Sequence, residues 1–352
     1  MIATRVPRRV PGRRPGRRLI RRHCAALLAA AATLVFASGC SGGGSVSAPP
    51  TVEKPDLNVA VVPALDSAGF FVALYEGLFA KEGLHVNFIP ATSSETVIKG
   101  QVDGQYDITG GNYVSYIQAQ QEGEANLDIF AEGSVMTPGA QGIYVMPDSP
   151  IKTLADLENH AIGINAPRNI LYLLAASVLA EHGISPNSVK FITKYNFPQM
   201  PAALKSGAIQ AAVLPEPFAS MAEQEDGAVL LTDLDQGATT SFPVEGYVVT
   251  KKWAEKYPRT LAAFDEALEQ GQEIADTNRG AVEQAMEDLP MKPVPLGVSK
   301  QIAAVMSLDD YPYNTGPNDS VDEVRLQRVV DVMQQFLGFD SSFNINTMLT
   351  GG

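Results

Sequence analysis

The sequence predicts an α/β fold of two lobes, each a mostly parallel sheet flanked by helices, on three observations. From Leu57 onward, apolar runs of strand length alternate with stretches of helical period. The alternation comes in two successive series, which meet near residue 143. The two series also share an echo. "GQYDIT" at 104–109 and "GAIQAA" at 207–212 both follow a short helical stretch, place Gly first and an apolar residue third, and lead into a turn and a new helix.

The elements follow in order. "LNVAVVP" reads as a buried strand, and "GFFVALYEGLFAKEG" as one helix closed by Gly83, a residue suited to the left-handed C′ position. "LHVNFIPA" is the next strand. Thr92 with Glu95 three residues later has capping-box spacing and opens the helix "TSSETVIKGQV". "YDIT", "NYVSYIQAQQEG" and "LDIFAEG" complete the first series as strand, helix and strand. The second series starts with the strand "GIYVM" and the short helix "SPIKTLADLE", which has a proline near its start. It continues through "HAIGIN", "RNILYLLAASVLAEHG", "VKFIT", "QMPAALKSG", "IQAAVLP", "EPFASMAEQEDG" and "AVLLT". "EGYVVT" is a return strand, and the remainder reads as mostly helical.

The chain of 352 residues is 45% hydrophobic and 18% charged, the composition of a globular protein with a sizeable core. Its net charge of -13 conceals an asymmetry: residues 1–39 hold 9 Arg and no acid, which leaves 17 basic against 39 acidic residues in the rest. A body this acidic lacks the basic patches that nucleic acid requires, and anionic headgroups repel it unless it is tethered. Residues 1–39 supply the means. An arginine-rich segment, the short apolar run "AALLAAAATLVFA" and the small pair Ser38-Gly39 have the layout of an export signal. Cys40 directly after that pair resembles a bacterial lipobox, which implies a diacylated cysteine and a lipid-anchored lipoprotein. A plain secretory leader with a chance cysteine is the alternative. Cys24 lies inside the leader, so the processed chain has no intramolecular disulfide to form. Residues 40–56 then read as a flexible spacer.

Three stretches resemble a known family. "YEGLFAKEGLHVNFIP" looks like the first helix and second strand of substrate-binding proteins of ABC importers, in the group that handles nitrate, sulfonates, taurine and thiamine-pyrimidine precursors. "DSPIKTLADLENHAIGI" is similar to the segment of that group that crosses between lobes, and "GAIQAAVLPEPFAS" to its segment ending in an acidic-Pro pair. The resemblance spans about residues 57–270 in the right order. It implies a periplasmic-binding-protein (type II) fold. Lobe 1 would comprise 57–142 and 246–352, lobe 2 would comprise 147–242, and 143–146 with 243–249 would form the hinge region. It also implies a small-molecule ligand between the lobes, an ABC permease and ATPase as partners, a monomer, no cofactor and no metal. The lipid anchor on Cys40 would hold the exported protein at the outer face of the cytoplasmic membrane, close to its transporter.

Ligands of open α/β sheets bind beyond the carboxyl ends of the strands, where helix N-termini offer free N–H groups. The candidate loops are therefore 66–70, 92–94 and 110–113 in lobe 1, with 165–169 and 214–218 in lobe 2, and 241–246 flanking. Ser67, Ser93 and Asn112 are read as ligand hydrogen-bonders or as N-caps, and Gly111 as a point of close backbone approach or a plain turn. Asn165 lies in the loop that precedes Arg168. A cation such as Arg168 at a helix start is tolerated where an anion lies nearby, either a ligand or a protein carboxylate, or is read as a solvated surface Arg. Glu216, between two prolines at a helix start, is read as an acceptor for an amine or amino-heterocycle, on the strength of the family motif, or as a helix-dipole carboxylate facing water. Arg168 and Glu216 hold the two ends of a zwitterion or pair with each other. Phe70, Tyr113 and Phe242 are read as aromatic lining or as core.

No G-x-S-x-G, GK[ST] or H-E-x-x-H motif occurs. His85, His160 and His182 are far apart, and no cysteine follows Cys40, so neither catalysis nor a thiolate metal site is expected. Two alternatives stand beside a solute-binding protein. One is a sensor lipoprotein that feeds no importer. The other is an enzyme like the eukaryotic thiamine-pyrimidine synthase, whose cysteine-rich motif this chain lacks.

Overall fold

The computed structural model describes residues 51–287, 321–340 and 342–349. The leader, Cys40 and most of the spacer lie outside the described residues. The first series supplies β1 (Asp56–Val61), α1 (Ala68–Tyr75), α2 (Leu78–Lys81), β2 (His85–Pro90), α3 (Ser94–Val102), β3 (Ile108–Asn112), α4 (Tyr113–Gln121) and β4 (Leu127–Val135). The second supplies β5 (Gln141–Val145), β6 (Ala161–Gly163), α5 (Ile170–Glu181), β7 (Lys190–Ile192), α6 (Met200–Lys205), β8 (Ala211–Pro215), α7 (Phe218–Met221) and β9 (Val229–Asp233). After β10 (Pro243–Thr250) come α8 (Lys251–Lys256), α9 (Pro258–Thr277), α10 (Arg279–Glu287) and α11 (Glu323–Leu337).

Two five-stranded sheets result, ordered β2-β1-β3-β10-β4 and β7-β6-β8-β5-β9. In the first, β1 is parallel to β2 and β3, and β10 lies antiparallel between β3 and β4. In the second, β6 is parallel to β7 and β8, and β5 lies antiparallel between β8 and β9. Each sheet therefore runs second, first, third, antiparallel, fourth. The sequence echo falls on equivalent strands, because Ile108 opens β3 and Ala211 opens β8. The turns before them bond alike: Asp107 N donates to Asn58 O at 2.8 Å, and Gln210 N to Ala161 O at 2.9 Å. All residues of β5 and β8 are buried, as expected of central strands covered on both faces.

The chain passes between the sheets at 136–140 and at 234–242, just before the segments expected as the hinge. Residues 143–145 and 243–249 lie inside β5 and β10 because each passage ends by adding a central strand to the new sheet. The single helix expected over 69–83 is two, since Gly77 adopts a left-handed φ of 69° between α1 and α2. The Thr92–Glu95 capping box does not form. Ser93 is the N-cap of α3, and the Glu95 carboxylate instead accepts from Ser115 Oγ at 2.6 Å. The helix expected in "SPIKTLADLE" is one 3-10 turn, Leu154–Leu157, closed by a Thr153–Asp156 capping box.

Helices α9 and α10 pack on α1. At the α1–α9 crossing Gly69 and Gly271 face each other, and a Cβ on Gly271 would intrude on Gly69 O and lie 2.9 Å from Ala73 N. Both obstacles involve backbone, so the helices would have to separate. In an exposed helix interior, Gly→Ala stabilises by about 1 kcal/mol. Here Gly271→Ala should instead lower stability by about 1–3 kcal/mol, read as a shift in the urea midpoint at constant slope.

Candidate functional site

The carboxyl edges of both sheets face one cavity of about 40 Å3. On a scale where one water needs about 10–15 Å3, it holds a few waters or a single polar head group. Val62, Ala64 and Asp66 reach it from the loop after β1, Ser94 from the start of α3, and Gly111 with Asn112 from the end of β3. Asn165 and Asn169 come from the loop after β6, Phe197 from the one after β7, and Pro215 from the end of β8. Gln141, Ile170 and Leu171 at the start of α5, Val244 and Glu245 complete it. All six loops expected from sequence therefore contribute, though not always through the expected residue.

Three expected residues do line the cavity: Gly111, Asn112 and Asn165. Asn112 is also the N-cap of α4. Its Oδ1 accepts from Ser115 N at 2.9 Å, and its Nδ2 donates to Ser94 Oγ at 2.9 Å. Asn169 does the same for α5 and donates to Asn165 Oδ1 at 2.6 Å. The two helix starts thus present amide side chains whose positions are fixed by capping.

The other expected residues lie elsewhere. Phe70 is fully buried among Phe71, Phe79, Phe88, Tyr247 and Phe264. Tyr113 and Phe242 are likewise in the core, the latter under the Arg328 guanidinium at 5.7 Å. Ser93 is buried beside the lining residue Ser94. Ser67 sits behind the cavity and donates to Glu245 Oε1 at 2.6 Å. Arg168 is exposed with a left-handed φ of 54°, and its guanidinium donates to Leu337 O at the C-terminal end of α11, 2.7 Å away. The negative end of that helix, and not a ligand or a carboxylate, is its partner, on an exposed side chain as the surface reading had it. Glu216 is buried just behind Pro215, follows neither of its expected pairings and accepts from Ser220 N and Oγ at 3.1 and 2.7 Å. Its peptide bond to Pro217 is cis. Its main-chain carbonyl accepts from Leu65 N at 3.0 Å, joining the two lobes beside the cavity.

Asp66, Glu245, Gln141 and Asn169 were not singled out from sequence. One signal would have found two of them. The antiparallel strand in each sheet begins at the edge where its parallel neighbours end, so the first residues of β5 and β10 belong to the cleft. Asp66 keeps part of its surface open to the cavity while protein surrounds the rest. Burial pushes its carboxyl up to about 7, against a hydrogen bond from the Gln141 amide. Burial drives Glu245 well above the usual carboxylate range. Repulsion from Asp66 adds to this, and hydrogen bonds from Ser67 and Tyr247 oppose it. Burial also raises Glu216 to about 7. Among the described residues that line the cavity, none is Lys, Arg or His.

A profile of the NMT1-like family matches residues 50–288, about two thirds of the chain. The chain belongs to the NMT1-like family. Among proteins with sequence similarity to this NMT1-like chain is the bicarbonate transport ATP-binding protein CmpC of Synechocystis. It is 29% identical over 239 residues, which cover 62% of this chain and 34% of CmpC. The nitrate/nitrite binding protein NrtA of Synechococcus elongatus is 24% identical over 261 residues, covering 67% of this chain and 57% of NrtA. The chain thus spans about a third of the length of the first of these relatives and under two thirds of the second. Among solved structures, the alkanesulfonate-binding protein SsuA of Xanthomonas axonopodis pv. citri, bound to MOPS, matches with a TM-score of 0.68. The identity is 16%, over 86% of this chain and 99% of SsuA. At that identity the likeness shows the fold, the two-lobed periplasmic-binding-protein fold. Among the described residues no helix is long and apolar enough to cross a membrane.

The raised acid at Asp66 makes stability pH-dependent. A carboxyl that is near 7 when folded and near 4 when unfolded favours folding fully only below about 4, and that contribution is lost as pH rises through 7. Asp66→Asn should therefore raise the melting temperature of the ligand-free protein, and by more at pH 8 than at pH 5. An equal gain at both pH values would show that the Asp66 carboxyl is not held up by the cleft.

Proposed function

We propose that this NMT1-like chain is the solute-binding component of an ABC importer, which takes up a small nitrogen- or sulfur-containing nutrient between its lobes and passes it to a permease and ATPase. The observation that carries the reading is the cavity. Loops from the carboxyl edges of both sheets build it, and polar side chains fixed by helix capping line it. Binding there ties the two lobes together through one solute, which is how a two-lobed protein converts occupancy into a shape that a partner can read. The named relatives support the reading, since NrtA is a nitrate/nitrite binding protein and SsuA an alkanesulfonate-binding protein. They also support binding over catalysis. The passages at 136–140 and 234–242 are the proposed hinge.

The leader layout and Cys40 support export and lipid anchoring at the outer face of the cytoplasmic membrane. On this reading Cys40→Ser moves the exported protein from the membrane fraction to the soluble one. A variant that stays with the membrane would remove the anchor from the proposal.

A thermal-shift screen of the purified chain against a library of small metabolites tests the binding role. A true solute at about a hundred times its Kd adds roughly 2.7 kcal/mol of stability. Asn165→Phe, which fills the cavity from a half-buried position, should abolish the shift without lowering the ligand-free melting temperature. A shift that survives in this variant would place the solute elsewhere.

A further inference from the structure

We propose that the solute held in this cleft is a small organic cation of the ammonium or amidinium class, whose N–H groups donate to Asp66, Glu245 and the side-chain carbonyl of Gln141. The inference rests on the reading of the cleft as the solute site and narrows it by charge. Its first support is the pair of carboxylates in one cavity, close enough to repel each other, with no positive side chain among the described lining residues. The second is independent of charge. Gln141 is 1% exposed and lines the cavity, and its Oε1 has no hydrogen-bond partner, while its amide donates to Asp66. A buried acceptor left unpaired costs about 1–3 kcal/mol, which a donor on the solute recovers.

The groups facing the pair are Gln141 of β5, Ser67, Tyr247 of β10 and, beside Glu245, the hydroxyls of Tyr113 and Tyr116 of α4. None of these carries a positive charge. An oxyanion placed here could be met only by the protonated forms of Asp66 and Glu245 and would leave the Gln141 carbonyl unpaired. An ammonium or amidinium group presents donors only and neutralises the pair. The cavity of about 40 Å3 matches one such head group. A bare divalent cation fits less well. Calcium and magnesium take six or more oxygens, and among the described residues no three His, Cys, Asp or Glu gather. The acidic body outside the leader also steers cations toward the protein.

Isothermal titration of the full purified chain, dialysed free of co-purified solute, tests the assignment with methylguanidinium, ethylammonium, putrescine, nitrate, ethanesulfonate and calcium. At least one organic cation should bind, and more tightly at pH 8 than at pH 6. Asp66→Asn should weaken that binding by about tenfold or more, and Glu245→Gln should weaken it too, with neither variant melting below the parent. Loss of binding in a variant that is equally or more stable separates solute recognition from a structural role. Binding of nitrate or ethanesulfonate, strengthened in Asp66→Asn, overturns the cation class and leaves the solute-binding reading standing. Binding of calcium in place of the organic cations overturns it as well. If none of the six binds, the cation class falls, and the metabolite screen decides the solute-binding reading separately.

Discussion

Neither sheet is complete without a strand that arrives from the other. β5 enters the second sheet as the chain leaves the first, and β10 enters the first on the way back; each lies between two strands of its new sheet. This constraint sets more than the connection. An antiparallel strand added to parallel ones must start at the edge where they finish. Gln141 and Glu245, near the starts of β5 and β10, are therefore delivered to the cleft by the same pairing that closes the sheets. The side chains with most to offer a solute and the backbone that joins the lobes are one structure.

The cleft is also where the molecule is least at ease. Buried amide side chains elsewhere are well paired. Gln101 bonds two main-chain carbonyls and the Thr109 hydroxyl, and Gln272 donates to Glu132 O. Asp66 and Glu245 instead face each other beside an unpaired carbonyl. A hydrophobic core that spans both lobes, with Phe70 and Phe264 at its centre in the first, carries that local deficit. Two acids held close together in a cleft are a common mark of a site shaped for something other than stability.

Much of this was legible in the sequence, and the failures have physical causes. Hydrophobic period gave the two α/β series, and the position of loops after strands gave six segments that reach the cavity, though not the loop of Phe197 or the start of β5 at Gln141. Choosing the residue within a loop was harder, because neighbours on a tight turn point in opposite directions. Asp66 faces the cavity and Ser67 backs it; Ser94 lines it and Ser93 does not. Phe70 and Tyr113, each inside the first turn of a helix, had already rotated toward the core. Arg168 was read as facing a ligand or a carboxylate, or as a surface Arg; it is exposed, and its partner is a main-chain carbonyl 169 residues further along the chain, where no local pattern points.

Helix α11 lies later in the chain than every strand, yet it touches α4 of the first lobe and α5 of the second. Its Arg328 also holds the carbonyls of Ala238 and Thr240 in the return passage, at 2.8 and 2.6 Å. The surface it packs on is made by elements of both halves. A polypeptide cut before residue 321 would retain the ten strands of the described residues and lose a helix that touches both halves. Damage or processing at this end of the molecule would thus act on how the halves are coupled, and would leave each half able to build its own sheet.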